Sequence, residues 1–390
     1  TGVDKVSFRD YEKDLERNLE GLVLRLINKT YKAKLIRRKM IPKSPGKMRP
    51  LGIPALEDKI VQCAVSKILG EIYEADFIDN SYGYRPCKGA KDAVSKLSRL
   101  ASHDSYHYVV EADIKGFFDN INHDLLLKMI ERRVDDRAFI GLIRKWLKAG
   151  ILIENKVIHP ETGTPQGGIV SPILANIYLH YCLDMWVVGI VRQKAYGNVE
   201  LIRYADDFVV LFERKIDADA FYRDLKTRLG RFNLEVAEEK TKLLCFSRFG
   251  NKDNGRFEFL GFEFSWGLSR TGKPTMKRRT ARAKLRAGIK KFQEWIKKSR
   301  SYGVTSILRT VSSKFIGHYN YYGVIGNCKS LNQYYHVCKR LLFKWLNRRS
   351  QRRSYNWTGF DQVLKMYQIP APKITERKTK EDKQPMLPFF

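Results

Sequence analysis

The pattern of hydrophobic and polar residues divides the 390-residue chain into three regions. In residues 1–53 a mixed helical stretch leads into "YKAKLIRRKMIPKSPGKMRPLGIP", where Pro, Gly and Lys interrupt an alternating pattern. Such interruptions are typical of turns between strands, so the segment predicts a β-hairpin with "KSPGKMR" at its tip. From about residue 54 to 265 helical spacing alternates with short strand-like runs, and beyond it the spacing is helical.

Individual elements follow from this pattern. "YHYVVEADI" is a β-branched run and "FEFLGFEFS" alternates, so both predict strands. Apolar residues four apart predict a helix face at Ile60, Ala64, Ile68 and Ile72. Helical spacing in the third region recurs at Ala281, Leu285, Ile289, Phe292 and Ile296, then at Ile307, Val311 and Phe315, and then at Tyr334, Val337, Leu341 and Trp345. After Phe360 we expect a short, charged and loosely ordered tail.

The run "LIRYADDFVVLF" (201–212) places two adjacent aspartates among residues that favour burial. Like charges repel each other at low dielectric and resist desolvation. A bound cation would explain the pair, and so would a tight turn that lifts it out of a sheet; the two explanations are compatible. A strand, a two-residue tip and a return strand fit the run, with Asp206 near the tip and Asp207 starting the return.

A third aspartate, Asp113, ends an apolar run about ninety residues upstream. Alone it is better explained as a turn or capping residue. If the two strands lie side by side, however, Asp113 comes next to Asp206 and Asp207. Such a carboxylate cluster suits two Mg²⁺ ions, which about 3.5–4 Å apart can activate a 3′-hydroxyl and stabilise a leaving pyrophosphate.

Charge and composition narrow the class of protein. The net charge is +31, and residues 277–353 hold 21 Lys and Arg against one acid, together with eleven aromatic residues. A basic run is most often only a solvated face, but this excess with interleaved rings favours nucleic-acid binding. No stretch approaches the roughly 18 apolar residues of a membrane span, so we expect no membrane partner. Six cysteines without a CxxC pair indicate reduced cytosolic thiols.

Several motifs in order resemble those of reverse transcriptases. Asp113 in "ADIKGFFD" and "YADD" at 204–207 resemble the two metal-binding palm motifs of that superfamily. The further motifs are "IPKSPGKMRPLGIP" (41–54), "SYGYRP" (81–86), "GTPQGGIVSPILANIYL" (163–179), "EEKTKLL" (238–244) and "FEFLGFEF" (257–264). Their wording is similar to bacterial group II intron-encoded reverse transcriptases, the maturases. "GHYNYY" (317–322) approximates a thumb motif of that family, with His318 where the family has Trp.

The resemblance implies an α+β fold of the right-hand polymerase type. Fingers and palm, with an antiparallel palm sheet, would occupy residues 1–270, and an all-helical basic thumb (X) domain 271–359. A charged tail would follow at 360–390, with no endonuclease domain, since only about thirty residues without Cys or His follow the thumb. The chain opens at Thr1 rather than Met, so we expect a trimmed chain that lacks an N-terminal segment.

The resemblance also assigns roles at the catalytic centre. Asp113, Asp206 and Asp207 match the catalytic metal ligands, and the backbone carbonyl of Ile114 would complete a site for two Mg²⁺ ions, with Mn²⁺ as a substitute. The residues that match dNTP contacts are Lys43, Arg49, Phe118, Gln166 and Ile114. Lys43 and Arg49 would clamp the triphosphate, although an ordinary basic loop is the alternative. Phe118 would exclude a 2′-hydroxyl by its bulk, although core packing is the alternative.

Nucleic-acid contacts are expected at two groups of residues. In the first, Gly167 and Gly168 would allow close approach of primer and template, and Arg85, Lys240 and Gly261 match other motifs; "SYGYRP" with Arg85 could instead be structural. The second group is the basic set Arg348, Arg349, Arg352 and Arg353.

The implied function is RNA-directed DNA polymerisation. The partners would be an RNA template, a DNA or RNA primer, dNTPs and group II intron RNA, which the protein would bind to assist splicing and retrohoming. Protein partners cannot be read from the sequence, and we expect a bacterial cytosolic or nucleoid location. Two alternatives stay open: a domesticated enzyme of host defence or repair, and an RNA-binding maturase with dispensable polymerase activity.

Overall fold

The computed structural model describes residues 1–44, 47–102, 105–153, 156–158, 162–163, 167–248, 255–269, 271–349 and 354–376. The chain forms two compact units, the first from residues 1–89 and 108–243, the second from 90–107 and 244–390. This division does not coincide with the predicted domain boundary at residue 270, which stays a prediction. Residues 90–107 and the stretch from residue 244 onwards are assigned to the second unit.

The described helices, in chain order, are α1 (Phe8–Glu12), α2 (Leu15–Ile27), α3 (Leu56–Glu74), α4 (Ala90–Ala101), α5 (Phe117–Asn120), α6 (His123–Glu131), α7 (Arg137–Leu147), α8 (Ser171–Leu179), α9 (Arg192–Lys194), α10 (Lys215–Gly230), α11 (Arg282–Ser299), α12 (Val304–Tyr322), α13 (Cys328–Leu346) and α14 (Trp357–Met366). Two π-helical segments, His180–Asp184 and Val187–Val191, lie between α8 and α9.

The described strands are β1 (Ile36–Ser44), β2 (Lys47–Ile53), β3 (Tyr108–Ala112), β4 (Ile114–Lys115), β5 (Ile151–Ile153), β6 (Lys156–Ile158), β7 (Val199–Tyr204), β8 (Asp207–Phe212), β9 (Glu235–Val236), β10 (Lys242–Cys245), β11 (Phe257–Phe259), β12 (Phe262–Leu268) and β13 (Pro274–Thr280). The two hairpins predicted from the sequence, β1–β2 and β7–β8, are both formed, and "FEFLGFEFS", predicted as a strand, forms the two strands of a third hairpin, β11–β12.

The first unit is built on a sheet with the strand order β10-β3-β8-β7. Strand β8 pairs antiparallel with both β3 and β7, as predicted for the palm. A second sheet has the order β2-β1-β5-β6, and β4 pairs with β9. Because β8 is central and apolar after its first residue, Phe208 to Phe212 are all buried, which fixes the register of the whole sheet.

The predicted face of α3 is wrong by one residue. The helix forms, but Ile68 is exposed, and the buried face runs through Val61, Val65, Leu69 and Tyr73. Both faces carry apolar residues four apart, so periodicity alone could not choose between them. The buried face includes Tyr73, whose hydroxyl donates to the Met129 carbonyl at 3.0 Å.

The helix Ser171–Lys194 corrects the expectation about apolar stretches. By length and composition alone it could cross a membrane, although 72% of its most apolar stretch is buried inside the protein. A helix that is apolar all round is also what the core of a large domain requires, so this feature is weak evidence for a membrane partner.

The second unit packs four helices, α11 to α14, around one hydrophobic cluster that includes Phe292, Phe315 and Leu342. It is not all-helical from residue 271, because β13 continues the β11–β12 hairpin into a three-stranded sheet. The tail predicted from residue 360 is also wrong over its first part. Phe360 is fully buried in the cluster, and the chain remains tied to the unit as far as Glu376.

Glu376 is held by a buried ion pair. Its carboxylate accepts from Arg278 Nη1 at 2.8 Å and from Nη2 at 3.0 Å, and further from the Ile325 amide and the Ser95 hydroxyl. The two charged side chains are 10% and 8% exposed. Burial acts to raise the pKa of Glu376, but these hydrogen bonds and the Arg278 charge hold the pKa below its ordinary 4.5.

Removing the Glu376 carboxylate should therefore weaken the second unit. We expect Glu376→Ala to lower the free energy of unfolding by about 3–5 kcal/mol, because Arg278 is left buried and unpaired. The matched control is Glu294→Ala, which removes an exposed partner of Lys290 and should cost less than about 1 kcal/mol. Chemical denaturation of the two variants measures the difference.

The same variant carries a pH signature. Because the folded pKa of Glu376 is depressed, its contribution is complete above about pH 4.5 and is lost as the pH falls through the folded value. The difference in unfolding free energy between wild type and Glu376→Ala should shrink on acidification below that pH. A difference that is constant with pH would contradict the assignment.

Candidate active site and nucleic-acid surface

Strand register brings the three aspartates to one end of the palm sheet. Tyr204 pairs with Asp207 across β7 and β8, so Ala205 and Asp206 form the two-residue turn. On the other side of β8, Ala112 pairs with Phe208, which sets the next residue, Asp113, opposite Asp207. The sequence prediction for this hairpin is therefore confirmed.

A lysine side chain lies at the same place. Lys240 Nζ donates to Asp113 Oδ2, and the Asp113 carbonyl accepts from the Ala237 amide at 2.9 Å. The hydrogen bond to Asp113 raises the pKa of Lys240, and the charges of Asp113, Glu239 and Asp207 add to the effect. The Lys240 ammonium thus lies in the field of two of the three palm carboxylates.

The donor set fits a divalent cation, but the cluster is not closed. Among the described residues, no group of three or more His, Cys, Asp or Glu side chains is arranged to hold a metal ion. The strands bring the three backbones together, whereas Lys240 occupies one Asp113 oxygen. Carboxylate oxygens are the ligands that Mg²⁺ prefers, so a cation and Lys240 would compete for Asp113. Ile114, the expected carbonyl ligand, is buried in β4 opposite Val236.

The "SYGYRP" segment packs against the β7–β8 turn. Its Tyr82 amide donates to the Arg203 carbonyl at 2.8 Å, and the Arg203 amide donates to the Asn80 carbonyl at 2.9 Å. Gly83 lies directly against Ala205: a Cβ at Gly83 would stand 2.3 Å from the Ala205 nitrogen. A glycine is therefore required at residue 83, because the backbone of Ala205, about 120 residues further along the chain, lies against it.

Arg85 is a structural residue, which corrects its assignment to nucleic-acid binding. Its guanidinium donates to both Glu74 carboxylate oxygens and to the carbonyls of Ile78 and Ser81, and it lies over the Phe77 ring. The side chain is only 4% exposed. Since Nε, Nη1 and Nη2 each donate to a protein acceptor, the structural alternative is supported.

The first glycine of "TPQGG" is exposed, and its backbone approaches strand β2 closely. Gly167 has φ of +113°, and a Cβ there would lie 2.5 Å from the Gly52 carbonyl oxygen of β2. A glycine is therefore required by the β1–β2 hairpin, and the close approach of primer and template stays a prediction. Gly168 is buried beside it. Gln166 lies outside the described residues.

The remaining dNTP candidates lie on the elements expected. Lys43 is in β1 and Arg49 in β2, opposite Ile41; for both, the structure describes the backbone alone. Phe118 is 9% exposed and makes an edge contact with Phe117, at 5.3 Å between ring centroids. This ring therefore packs in the core, and its role as a sugar gate stays a prediction.

Gly261 shapes the β11–β12 turn in the second unit. Leu260 and Gly261 have φ of +51° and +78°, the left-handed pair that a two-residue hairpin turn needs. Tyr321 of "GHYNYY" donates its hydroxyl to the Leu260 carbonyl at 3.0 Å. His318 of the same motif stacks on Tyr334 at 3.7 Å, and burial lowers its pKa to about 4. A neutral His318 thus fills the place of an aromatic ring.

The described basic residues near the end of α13 surround an indole. Arg300, Lys344 and Arg348 all lie within 6.0 Å of the Trp345 ring centroid. Arg349 is exposed, and one of its nitrogens donates to the Tyr302 carbonyl at 2.8 Å. The two other members of the set, Arg352 and Arg353, lie outside the described residues.

Comparison with known families settles the relationship. The family model described as "Reverse transcriptase (RNA-dependent DNA polymerase)" matches residues 41–264, more than half of the chain. The chain belongs to the reverse transcriptase family. The match includes the palm sheet and its turn, and membership confirms the expected polymerase fold.

Relatives in other organisms refine the similarity. The chain is 31% identical over 405 residues to the group II intron-encoded protein LtrA of Lactococcus lactis subsp. cremoris, covering 82% of this chain and 65% of LtrA. It is 33% identical over 301 residues to protein YkfC of Escherichia coli (strain K12), and the match covers 70% of this chain and 77% of YkfC. A 160-residue stretch is 44% identical to the "Uncharacterized 91 kDa protein in cob intron" of Schizosaccharomyces pombe, and the match covers 41% of this chain and 20% of that protein. The resemblance to group II intron-encoded reverse transcriptases is confirmed, although this chain spans somewhat less than two thirds of LtrA.

Sequence reasoning missed three residues beneath the turn. Arg203 of β7 is fully buried, and its side chain contacts Asn176 of α8 and Asp184 of the following π-helical segment. The signal was present, since an arginine inside the run "LIRY" needs a partner as much as the aspartates do.

The contact between Gly83 and the turn predicts a position-specific loss of stability. Gly83→Ala should destabilise the first unit by about 1–3 kcal/mol, because the new methyl group forces the backbone away from Ala205. Gly70→Ala is the control: nothing lies within 4 Å of a Cβ there, and alanine favours the interior of α3, so it should stabilise by up to about 1 kcal/mol. Denaturant midpoints compare the two; equal midpoints would contradict the tight approach.

Proposed function

We propose that this chain is an RNA-directed DNA polymerase that copies an RNA template from a DNA or RNA primer, using dNTPs. The observation that carries the proposal is the register of β3, β7 and β8, which sets Asp113 opposite Asp207 and Asp206 in the turn beside them. Family membership supports the same activity.

Each part of the site would have a separate role. Asp113, Asp206 and Asp207 would hold two Mg²⁺ ions, for which Mn²⁺ is a substitute, with the Ile114 carbonyl beside them. Such ions, when bound, supply Lewis acidity at the attacking and leaving oxygens. Lys43 and Arg49 would bind the triphosphate, Gln166 and Phe118 would face the nucleotide, and Phe118 would exclude the 2′-hydroxyl.

We further propose that the basic second unit binds group II intron RNA and so assists splicing and retrohoming. The cations around Trp345, with Arg349, Arg352 and Arg353, would engage phosphates, and exposed rings would stack on unpaired bases. The similarity to LtrA supports this role. A protein with these substrates would work in the bacterial cytosol or nucleoid.

The polymerase proposal predicts a loss of chemistry in Asp206→Ala. The rate of primer extension on an RNA template with dNTPs and Mg²⁺ should fall by at least about 100-fold. The variant lacks a carboxylate that would hold a cation, and this cation would stabilise the negative charge of the transition state. The control Asp224→Ala removes an exposed carboxylate of α10 and should retain the wild-type rate. Full-length cDNA made by Asp206→Ala at the wild-type rate would refute the assignment.

The intron proposal predicts a separation of activities. Arg348→Glu with Arg349→Glu should weaken binding to RNA transcribed from the sequence around the gene, reduce the salt slope by about one per lost phosphate contact, and lower splicing more than generic primer extension. Asp206→Ala should do the reverse, keeping splicing and losing cDNA.

The control for the intron proposal is the equal charge change at two exposed residues of the first unit, Lys67→Glu with Arg223→Glu. It should leave the affinity for this RNA near that of the wild type. If the flanking RNA binds no better than an unrelated RNA of equal length, the intron role fails and a domesticated polymerase replaces it.

A further inference from the structure

A fully buried ion pair lies behind the catalytic turn. Arg203 Nε and Nη2 donate to the two oxygens of Asp184 at 2.7 and 2.6 Å, and both side chains are 0% exposed. Burying two charges costs free energy that their attraction recovers only with good geometry and additional hydrogen bonds. An apolar pair would fill the same volume without this cost, so packing alone does not account for the choice of residues.

The remaining donor of Arg203 connects the pair to the turn. Arg203 Nη1 donates to Asn176 Oδ1 at 3.0 Å and to the carbonyl of Ala205 at 3.1 Å. Ala205 has φ of +55°, the left-handed conformation that residues with a Cβ disfavour. The hydrogen bond therefore acts on the one peptide whose unusual conformation determines where Asp206 points.

Asn176 extends the network to the segment beneath. Its Nδ2 donates to the Gly83 carbonyl at 2.7 Å, and Gly83 lies against Ala205. The turn is thus held from its own strand through Arg203 and from below through Gly83, with Asn176 joining the two.

The π-helical segment explains how one helix supplies both partners. Asn176 and Asp184 are eight residues apart, which in a regular α-helix sets them about 80° apart around the axis. The segment His180–Asp184 is π-helical and accommodates an extra residue within the turn, which brings the two side chains nearly into line. Single π-turns are often found at functional sites, and here the turn delivers Asp184 to Arg203.

We propose that Arg203, Asp184 and Asn176 are positioning residues that hold Ala205 in its left-handed conformation and thereby aim the Asp206 carboxylate. None of the three touches substrate; they act through the turn. This inference rests on the proposed polymerase function for its kinetic consequence, and on the geometry alone for its effect on the turn.

The test removes the network without leaving a buried charge. In the double variant Arg203→Met with Asp184→Leu, the charges go together, so the fold should be retained, as measured by thermal melting and circular dichroism. Hydrogen exchange is then followed in metal-free protein over the peptide that contains residues 204–208. We expect faster exchange there and unchanged exchange in α7.

Kinetics provide the second readout. With active enzyme counted by burst amplitude, kcat for primer extension should fall by about 100-fold, as expected for misplacement of a reacting group by about 1 Å. The KM for dNTP and the affinity for primer–template should stay at their wild-type values, because neither is bound by these residues. A merely structural defect would lower the burst amplitude and leave kcat per active molecule unchanged.

Two further variants complete the design. Asn176→Ala keeps the ion pair and the Arg203–Ala205 hydrogen bond but loses the links to Arg203 and Gly83, so exchange over 204–208 should become faster, by less than in the double variant. This variant keeps the test decisive even if the double variant fails to fold. Glu200→Gln is the control, since Glu200 lies on the same strand and binds Asn80 and Arg192 but not the turn. It should match wild type in both readouts.

The outcomes separate the two claims. Wild-type exchange over 204–208 and wild-type kcat in a folded network variant would overturn the positioning role. A wild-type protein that extends no primer would refute the proposed function, while the exchange experiment would still decide whether the network holds the turn.

Discussion

The structure depends on placing two adjacent carboxylates at the end of a sheet that is otherwise buried. Strand β8 is apolar from Phe208 onwards, and burial of that run leaves Asp207 at its exposed end and Asp206 in the turn. Charges in this position repel each other and resist desolvation. The fold meets the constraint by closing the hairpin at the point where the apolar run begins, so that the carboxylates remain near water while every following residue of β8 is buried.

Much of the palm was predictable because local and global requirements agree there. The turn follows from the adjacent aspartates between two apolar strands, and the position of Asp113 at the same sheet end follows from a second strand of matching length. The structure places the predicted metal ligands at one strand end, and their role in binding metal stays a prediction. The sequence motif containing Lys240 was noted, but its contact with Asp113 depends on β9 pairing beside β4, which periodicity does not reveal.

Arginines show why the rest could not be predicted. Every arginine adds the same positive charge to the total. Arg85, Arg203 and Arg278, however, are each buried against a carboxylate and contribute to the fold rather than to a binding surface. Their partners are distant in sequence or lie in unremarkable contexts, as Glu376 does in a segment that reads as a tail. A charge pattern therefore predicts that a polyanion is bound, whereas the choice of which cations bind it requires the burial of each side chain.

The two cations that flank the palm turn differ in a way that matters for catalysis. Arg203 is 0% exposed, and its bidentate pairing with Asp184 makes it a permanent part of the core. Lys240 is 58% exposed and holds Asp113 by one flexible side chain, so its contact can be exchanged at little cost. In such a site the buried Arg203 contacts the turn on its core side, whereas Asp113 Oδ2 can exchange Lys240 for a cation. The buried cation thus contacts the turn that carries Asp206, whereas the exposed one contacts Asp113.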